Sequence, residues 1–289
     1  MVFGGPYAAP VTCLSQSADK DVAENWDLLK MSEMSELMAA AVALAEHSSA
    51  TARALWQGEI DVTYKSDGSS LTEADLNVEA LWRDRIRSHF PSHGILGEEY
   101  GQDSGTSAYT WVLDPIDGTR QFGAGLLNFS SLISVCRDGV PVVGVIDLPH
   151  IGSRWVAALG HGTRVDPRPV QTSGCSDIDT AVVSLANPDS FGETTSAGYA
   201  RLRNAGRLRV FDAGSPAYGA LARGLIDVCL NGDDLNAHDI CALCPVVTEA
   251  GGVITDWSGG PLSLSSSGAI VATASPDLHA HVLGMLAGP

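Results

Sequence analysis

The residues best equipped for chemistry lie in Trp111-Val112-Leu113-Asp114-Pro115-Ile116-Asp117-Gly118-Thr119, where an apolar run meets two carboxylates, a proline, a glycine and a hydroxyl. Three apolar residues suffice for a short buried strand, and Pro115, with no N–H to give to a sheet ladder, predicts that the strand ends there. Asp114 then stands at the carboxyl end of the strand, and Asp117 can swing back beside it. Two carboxylates in one small volume raise each other's pKa unless a cation separates them. Hard divalent cations choose oxygen ligands, and Mg²⁺ commonly takes one or two carboxylates together with waters and phosphate oxygens. Gly118 lets the backbone approach an anion closely, and the N–H groups after it would face a phosphate if a helix starts at Thr119. An ordinary Asx turn capping a short helix accounts for the same residues, so this stretch alone leaves both readings open.

Two more acidic stretches invite the same question. In Gly94-Ile95-Leu96-Gly97-Glu98-Glu99-Tyr100-Gly101 an apolar pair runs into adjacent acids; neighbours in an extended segment point opposite ways, so one of them can face the Asp114 turn. A solvated loop explains this stretch equally simply. Asn236-Ala237-His238-Asp239 opens a helix predicted to continue to Gly251-Gly252, with Asn236 as N-cap and the glycines as the stop. The helix dipole by itself is reason enough for an acid at Asp239.

The elements that must position these groups follow from pattern. Residues 34–56, rich in Ala, Leu, Met and Glu without Gly or Pro, predict a long helix. Lys65 lies in a polar break before Asp67-Gly68. Helical periodicity resumes over 72–90, with Thr72 as N-cap and Asp75 and Glu79 one turn apart on one face. Strands at 129–136, 140–148 and 153–159, the first two joined by an Asp138-Gly139 turn, predict an antiparallel meander with an alternating core face. Turn and polar signals fill 163–180, with a short strand at 170–172. Strands at 181–185, 207–211, 225–230, 253–256 and 269–274 then accompany helices at 216–223 and 276–286.

Composition bounds the function. Lys+Arg 17 against Asp+Glu 34 gives a formal charge of −17, which argues against a general nucleic-acid or anionic-membrane surface. An anionic substrate would need local help, which a bound cation supplies. The six cysteines form no spaced framework and read as buried thiols of a reducing cytoplasm; Cys241-x-x-Cys244 has no second pair and reads as core packing. The N-terminus has no basic region followed by an apolar run, and no stretch is long and apolar enough to span a bilayer, which predicts a soluble cytoplasmic protein. Residues 1–20 predict a loose arm.

Taken together, Gly97-Glu98-Glu99, Asp114-Pro115-Ile116-Asp117-Gly118-Thr119, and Asp239 ahead of Glu249-Ala250-Gly251-Gly252 resemble the inositol monophosphatase family of Mg²⁺-dependent, lithium-sensitive phosphatases. The likeness runs from the helix near Met34 to the C-terminus. It implies a layered α/β fold, an αβαβα sandwich with an α+β N-terminal half (21–165) holding the metal site and an α/β C-terminal half (166–289) holding the specificity loop. It implies Glu98, Asp114, the Ile116 carbonyl, Asp117 and Asp239 as ligands of two or three Mg²⁺ ions, and Gly118 and Thr119 as a phosphate-cradling turn. Asp75 matches the acid that works with Thr119 on a nucleophilic water, which Glu98 orients. Lys65 matches a lysine of the preceding loop, and His238 replaces the family's tryptophan. Water would attack directly, with no covalent intermediate.

For the substrate, Asp147-Leu148-Pro149, Arg154-Trp155 and Gly251-Gly252-Val253-Ile254-Thr255-Asp256-Trp257 resemble the histidinol-phosphate phosphatase branch more than the inositol branch. Both branches usually place a glutamate after Asp227, whereas this chain has Asn231 and one extra residue before Asp239. Asn carries no charge and holds an ammonium less well, so Asp233 or Asp234 is a candidate substitute. Asn231, Ser215 and Asp234 are the candidate substrate contacts. Histidinol phosphate ranks first, inositol 1-phosphate second, and a sugar or nucleotide phosphate after them. A non-catalytic relative that binds a phosphorylated ligand is the competing class; retention of all four acidic ligands counts against it. The partner implied is a small phosphorylated metabolite, and homodimers are common in the family.

Overall fold

A computed structural model describes residues 33–58, 62–64, 70–165 and 167–288; the expected loose arm and Lys65 lie outside the described residues. Helix α1 (Glu33–Gln57) buries Leu37, Ala40, Ala41, Leu44, Ala45, Ser48 and Ala52, the three-four spacing of an apolar stripe. A hairpin of β1 (Val62–Tyr64) and β2 (Ser70–Thr72) leads into α2 (Glu73–His89), which Thr72 caps as expected.

An eight-stranded sheet comes next, from β3 (Gly94–Gly97), β4 (Gly101–Asp103), β5 (Tyr109–Asp117), then, after the five-residue helix α3 (Thr119–Gly123), β6 (Ser130–Arg137), β7 (Val140–Leu148), β8 (Ser153–Ala158), β9 (Gly162–Val165) and β10 (Arg168–Val170). The order is β10-β9-β8-β7-β6-β5-β3-β4, with β3 and β5 parallel and the other pairs antiparallel. The second sheet, ordered β12-β11-β13-β15-β14, uses β11 (Val182–Leu185), β12 (Leu208–Phe211), β13 (Val228–Leu230), β14 (Val253–Asp256) and β15 (Ile270–Thr273). Between these strands run α4 (Ser196–Leu202), α5 (Pro216–Ala222), α6 (Ala237–Ile240) and α7 (Leu243–Thr248), and α8 (Pro276–Ala287) closes the chain.

Three apolar layers glue five layers of structure. Leu37, Leu44, Val78, Trp82, Trp111 and Val143 seat α1 and α2 on the outer face of the first sheet. Trp155, Tyr218, Leu221, Val246, Val247 and Ala272 pack α5 and α7 between the sheets. Leu185, Tyr199, Leu202, Leu278 and Val282 seat α4 and α8 on the far face of the second sheet. The result is the expected αβαβα sandwich. Among the described residues no helix is long and apolar enough to cross a membrane.

Four expectations need correction. Strand β5 does not stop at Pro115: it continues to Asp117 through a bulge between Asp114 and Asp117, where the missing N–H breaks no regular ladder bond, and the Pro115 carbonyl accepts from Ser131 Oγ at 2.6 Å. The meander does not alternate. Residues 130–136 are all buried, because helices cover both faces of the sheet. The polar stretch after residue 162 forms the hairpin β9–β10, with Gly162 at φ +71°. The expected single helix from Asn236 is two short ones, α6 and α7; Pro245 has no N–H to bond the carbonyl of Cys241, and the turn breaks there. Cys136, Cys229, Cys241 and Cys244 are buried free thiols, as expected of core packing.

Gly144 on β7 lies against this break. A Cβ there would come within 2.2 Å of the Ala242 carbonyl oxygen, so the central layer can approach the sheet only over a glycine. Gly144→Ala should therefore cost about 1–3 kcal/mol, the usual penalty for overpacking. An unchanged denaturation midpoint would contradict the packing described.

Candidate active site

Parallel pairing of β3 with β5 sets Gly97 beside Leu113, so the residues that follow, Glu98 and Asp114, emerge side by side at the carboxyl ends of two adjacent strands. The Glu98 N–H donates to the Leu113 carbonyl at 3.1 Å, extending the register by one residue. Glu98 thus sits in a turn tied to the sheet and is half-buried.

The bulge re-aims Asp117 beside Asp114, and the first turn of α6 brings in Asp239. One carboxylate oxygen from each of Asp114, Asp117 and Asp239 lies within 4.8 Å of the others. Asp75, in the first turn of α2, and Glu98 are close enough for their charges to act on Asp114.

Three of the acids are each held by one oxygen. Asp75 Oδ2 accepts from the Thr72 N–H at 2.7 Å and from Thr72 Oγ1 at 2.6 Å. Asp117 Oδ2 accepts from Ser130 Oγ at 3.1 Å, from Ser215 Oγ, and from the Ser215 N–H at 3.3 Å. Asp239 Oδ2 accepts from the Asn236 N–H at 2.7 Å, with His238 Nε2 at 3.4 Å. Asp75 Oδ1 and Asp114 Oδ1 are buried and make no hydrogen bond.

Burial first, then mutual repulsion, sets the protonation of the group. Burial pushes Asp75 up to about 6, with Thr72 opposing and the Glu98 charge assisting. Asp239 is likewise pushed up to about 6, by burial, against the pull of His238. Asp114, only 1 % exposed, is raised by burial and then by the charges of Glu98, Asp117, Asp239 and Asp75. Burial also raises Asp117, against its serine hydrogen bonds.

These facts fit a hard cation. The donors are all oxygens, two buried carboxylate oxygens lack a protein partner, and the negative charges raise one another's affinity for a positive one. The carbonyl of Ile116 faces the same turn, where it accepts from Thr119 Oγ1 at 3.0 Å. Gly118 adopts φ +86°, turning the chain from β5 into α3 and bringing Thr119 over that carbonyl.

The other predicted contacts fare differently. Ser215, 5 % exposed, turns its hydroxyl to Asp117 and steadies that carboxylate. Asn231 is half-buried, and its Oδ1 accepts from Tyr218 O–H at 2.7 Å. Asp234 is exposed and accepts from Ser190 Oγ at 2.8 Å; Asp233 accepts from the Gly192 N–H at 3.0 Å and Thr195 Oγ1 at 2.7 Å, so the enlarged loop is fastened to 190–195. Sequence reasoning missed Ser130, the first residue of β6 and one of three buried serines there, whose polarity ahead of an apolar pair was the available signal.

Comparison with known proteins identifies the family. The model of the inositol monophosphatase family matches residues 33–287. The chain is 34% identical over 247 residues to a bifunctional phosphatase, IMPL2, of Arabidopsis thaliana, covering 85% of this chain and 71% of the relative. It is 33% identical over 236 residues to a histidinol-phosphatase of Mycobacterium tuberculosis, covering 76% of this chain and 86% of the relative. The solved structure of an inositol monophosphatase from Zymomonas mobilis superposes with a TM-score of 0.81 at 29% identity, over 89% of this chain and 100% of the other.

Because Asp75 and Asp239 hold their protons more tightly in the folded than in the unfolded chain, their contribution to folding stability is complete below about pH 4 and is lost as pH rises to about 6. In EDTA the folding stability, and with it the melting temperature, should fall between about pH 4 and pH 6, by up to about 1.4 kcal/mol per pH unit for each group, and level off above pH 6, and saturating Mg²⁺ at pH 7 should raise it again. A cation-free protein with a flat profile over that range would contradict this electrostatic account.

Proposed function

This chain belongs to the inositol monophosphatase family of phosphatases, and we propose that it hydrolyses a small phosphorylated metabolite with Mg²⁺, histidinol phosphate first. The observation that carries the reading is the convergence of Asp114, Asp117 and Asp239 within 4.8 Å at the ends of β5 and α6, beside Glu98 and Asp75. Hydrolysis of phosphomonoesters is the activity of the family and of the relatives named above; the alcohol and the metal are the proposal.

In this reading Glu98, Asp114, the Ile116 carbonyl, Asp117 and Asp239 hold two or three Mg²⁺ ions. When bound, Mg²⁺ neutralises phosphoryl oxygens, lowers the pKa of a coordinated water and stabilises the leaving alkoxide. Asp75 and Thr119 orient the attacking water. Asp75 Oδ1, buried and without a protein partner, is the atom that accepts its proton, and a carboxyl pushed up to about 6 suits that task better than one at the ordinary carboxylate value. The backbone after Gly118 receives the phosphate. Ser130 and Ser215 keep the Asp117 carboxylate from rotating.

The substrate alcohol meets the loop around Asn231 and Asp234. The names of the relatives favour histidinol phosphate. One contact favours inositol 1-phosphate as the second reading: the Tyr218 hydroxyl occupies Asn231 Oδ1, so the side chain offers its amide N–H groups, which suit an uncharged polyol. The exposed apolar residues Leu126, Leu127 and Phe211, drawn together by the Asn128-to-Asp212 hydrogen bond, suit a homodimer contact. The buried free thiols fit a reducing cytoplasm.

Phosphate release from histidinol phosphate, inositol 1-phosphate, fructose 1,6-bisphosphate and adenosine 3′,5′-bisphosphate tests the assignment. Histidinol phosphate should lead in kcat/KM by about tenfold or more, some 1.4 kcal/mol, with activity abolished by EDTA and restored by Mg²⁺. Equal, slow turnover of all four removes the histidinol assignment. Separately, Asp114→Asn should lower Mg²⁺-dependent activity by about 10²-fold or more while raising the melting temperature of the metal-free protein, since it deletes the charge that its neighbours oppose.

A further inference from the structure

Glu79 is 0 % exposed and Arg83, one turn later on α2, is 3 % exposed, and they pair with each other: Arg83 Nε donates to Glu79 Oε1 at 2.7 Å. Burying an ion pair is costly, and such pairs contribute little net stability compared with apolar packing. What this pair does hold is the turn that carries Glu98. The Glu99 N–H donates to Glu79 Oε2 at 2.7 Å and the Tyr100 N–H to Glu79 Oε1 at 3.2 Å. Arg83 donates to the Gly101 carbonyl and, through Nη1, to Asp103 Oδ2 at 3.1 Å.

With Glu98 N–H on the Leu113 carbonyl, three successive backbone N–H groups, of residues 98, 99 and 100, are fixed by two elements. The carboxylate reaches them only because residue 97 is glycine: a Cβ there would lie 1.9 Å from Glu79 Oε1. Asp75 and Glu79 are one turn apart, so a single rigid helix places one carboxylate beside the acid cluster and a second under the backbone of its Glu98 segment.

We propose that Glu79, with Arg83 as its counter-ion, is a positioning residue for Glu98: it sets the turn in the one conformation that keeps the Glu98 carboxylate beside Asp114, and so tunes cation affinity without touching the cation. This rests on the metal-dependent reading above. Groups that orient a ligand from behind typically change metal affinity by about 10- to 100-fold when removed.

The test is calorimetric titration of the metal-free full-length protein with Mg²⁺, alongside melting temperatures and the dependence of kcat on Mg²⁺. Glu79→Gln leaves one amide N–H facing a backbone N–H, and should weaken Mg²⁺ binding by about tenfold or more while kcat at saturating Mg²⁺ falls much less. Gly97→Ala, which pushes on the same carboxylate, serves as the second variant should Glu79→Gln not fold, and should weaken binding in the same direction. Gly198→Ala, whose Cβ would press on Trp257 and Leu286 far from the site, supplies a destabilised control that should bind Mg²⁺ as the parent does. A folded Glu79→Gln or Gly97→Ala variant with parental Mg²⁺ affinity overturns the proposal while leaving the phosphatase reading intact. A parent protein that binds no Mg²⁺ overturns both.

Discussion

Everything in this protein depends on keeping mutually repelling carboxylates close together and out of water. Asp114 carries the heaviest load, since burial and four neighbouring charges all disfavour its ionised form. The fold opposes this by giving Asp75, Asp117 and Asp239 hydrogen-bond donors at one oxygen each: Thr72, the Ser130 and Ser215 pair, and the Asn236 backbone. The donors are neutral, so they orient the acids without cancelling their charge. A counter-ion from within the protein would defeat the arrangement; Arg83, the buried cation nearby in sequence, is turned instead to Glu79 and to the backbone.

The layered architecture follows from that demand. Acids drawn from residues 75, 98, 114, 117 and 239 can meet only where a helix end, a parallel strand pair and a second helix end converge, and each of those supports must itself be rigid. Covering the eight-stranded sheet on both faces supplies the rigidity, because the strands that carry Glu98 and Asp114 are then packed above and below. The central helices pay part of that cost in shortness, with α6 and α7 broken around Cys241 and Ala242 so that Asp239 can be aimed from a first turn.

The parts legible in the sequence were those with local causes. Thr72 ahead of Asp75 and Asn236 ahead of Asp239 announce helix starts whose acids sit at the third helical position, and both caps form. Apolar periodicity marked α1 and α2, and Asp138-Gly139 marked the hairpin between β6 and β7, where both residues adopt positive φ. What escaped notice had distant causes. The passage of β5 through Pro115 depends on the partner strand meeting a bulge there, and the uniform burial of β6 depends on helices remote from it in the sequence. Nothing in the sequence around Ser215 reveals that its hydroxyl donates to Asp117, 98 positions earlier.

The enlarged loop after Asn231 is moored at several points: Asp233 to Gly192 and Thr195, Asp234 to Ser190, and Gly232 so close to Ser190 that a Cβ would meet its carbonyl at 2.0 Å. A loop already fastened loses little conformational freedom when a ligand arrives. Under the proposal that this loop meets the substrate alcohol, selection there would resemble a fixed stencil more than a closing hand: molecules that match it gain affinity cheaply, and those that need it to bend are refused at the door.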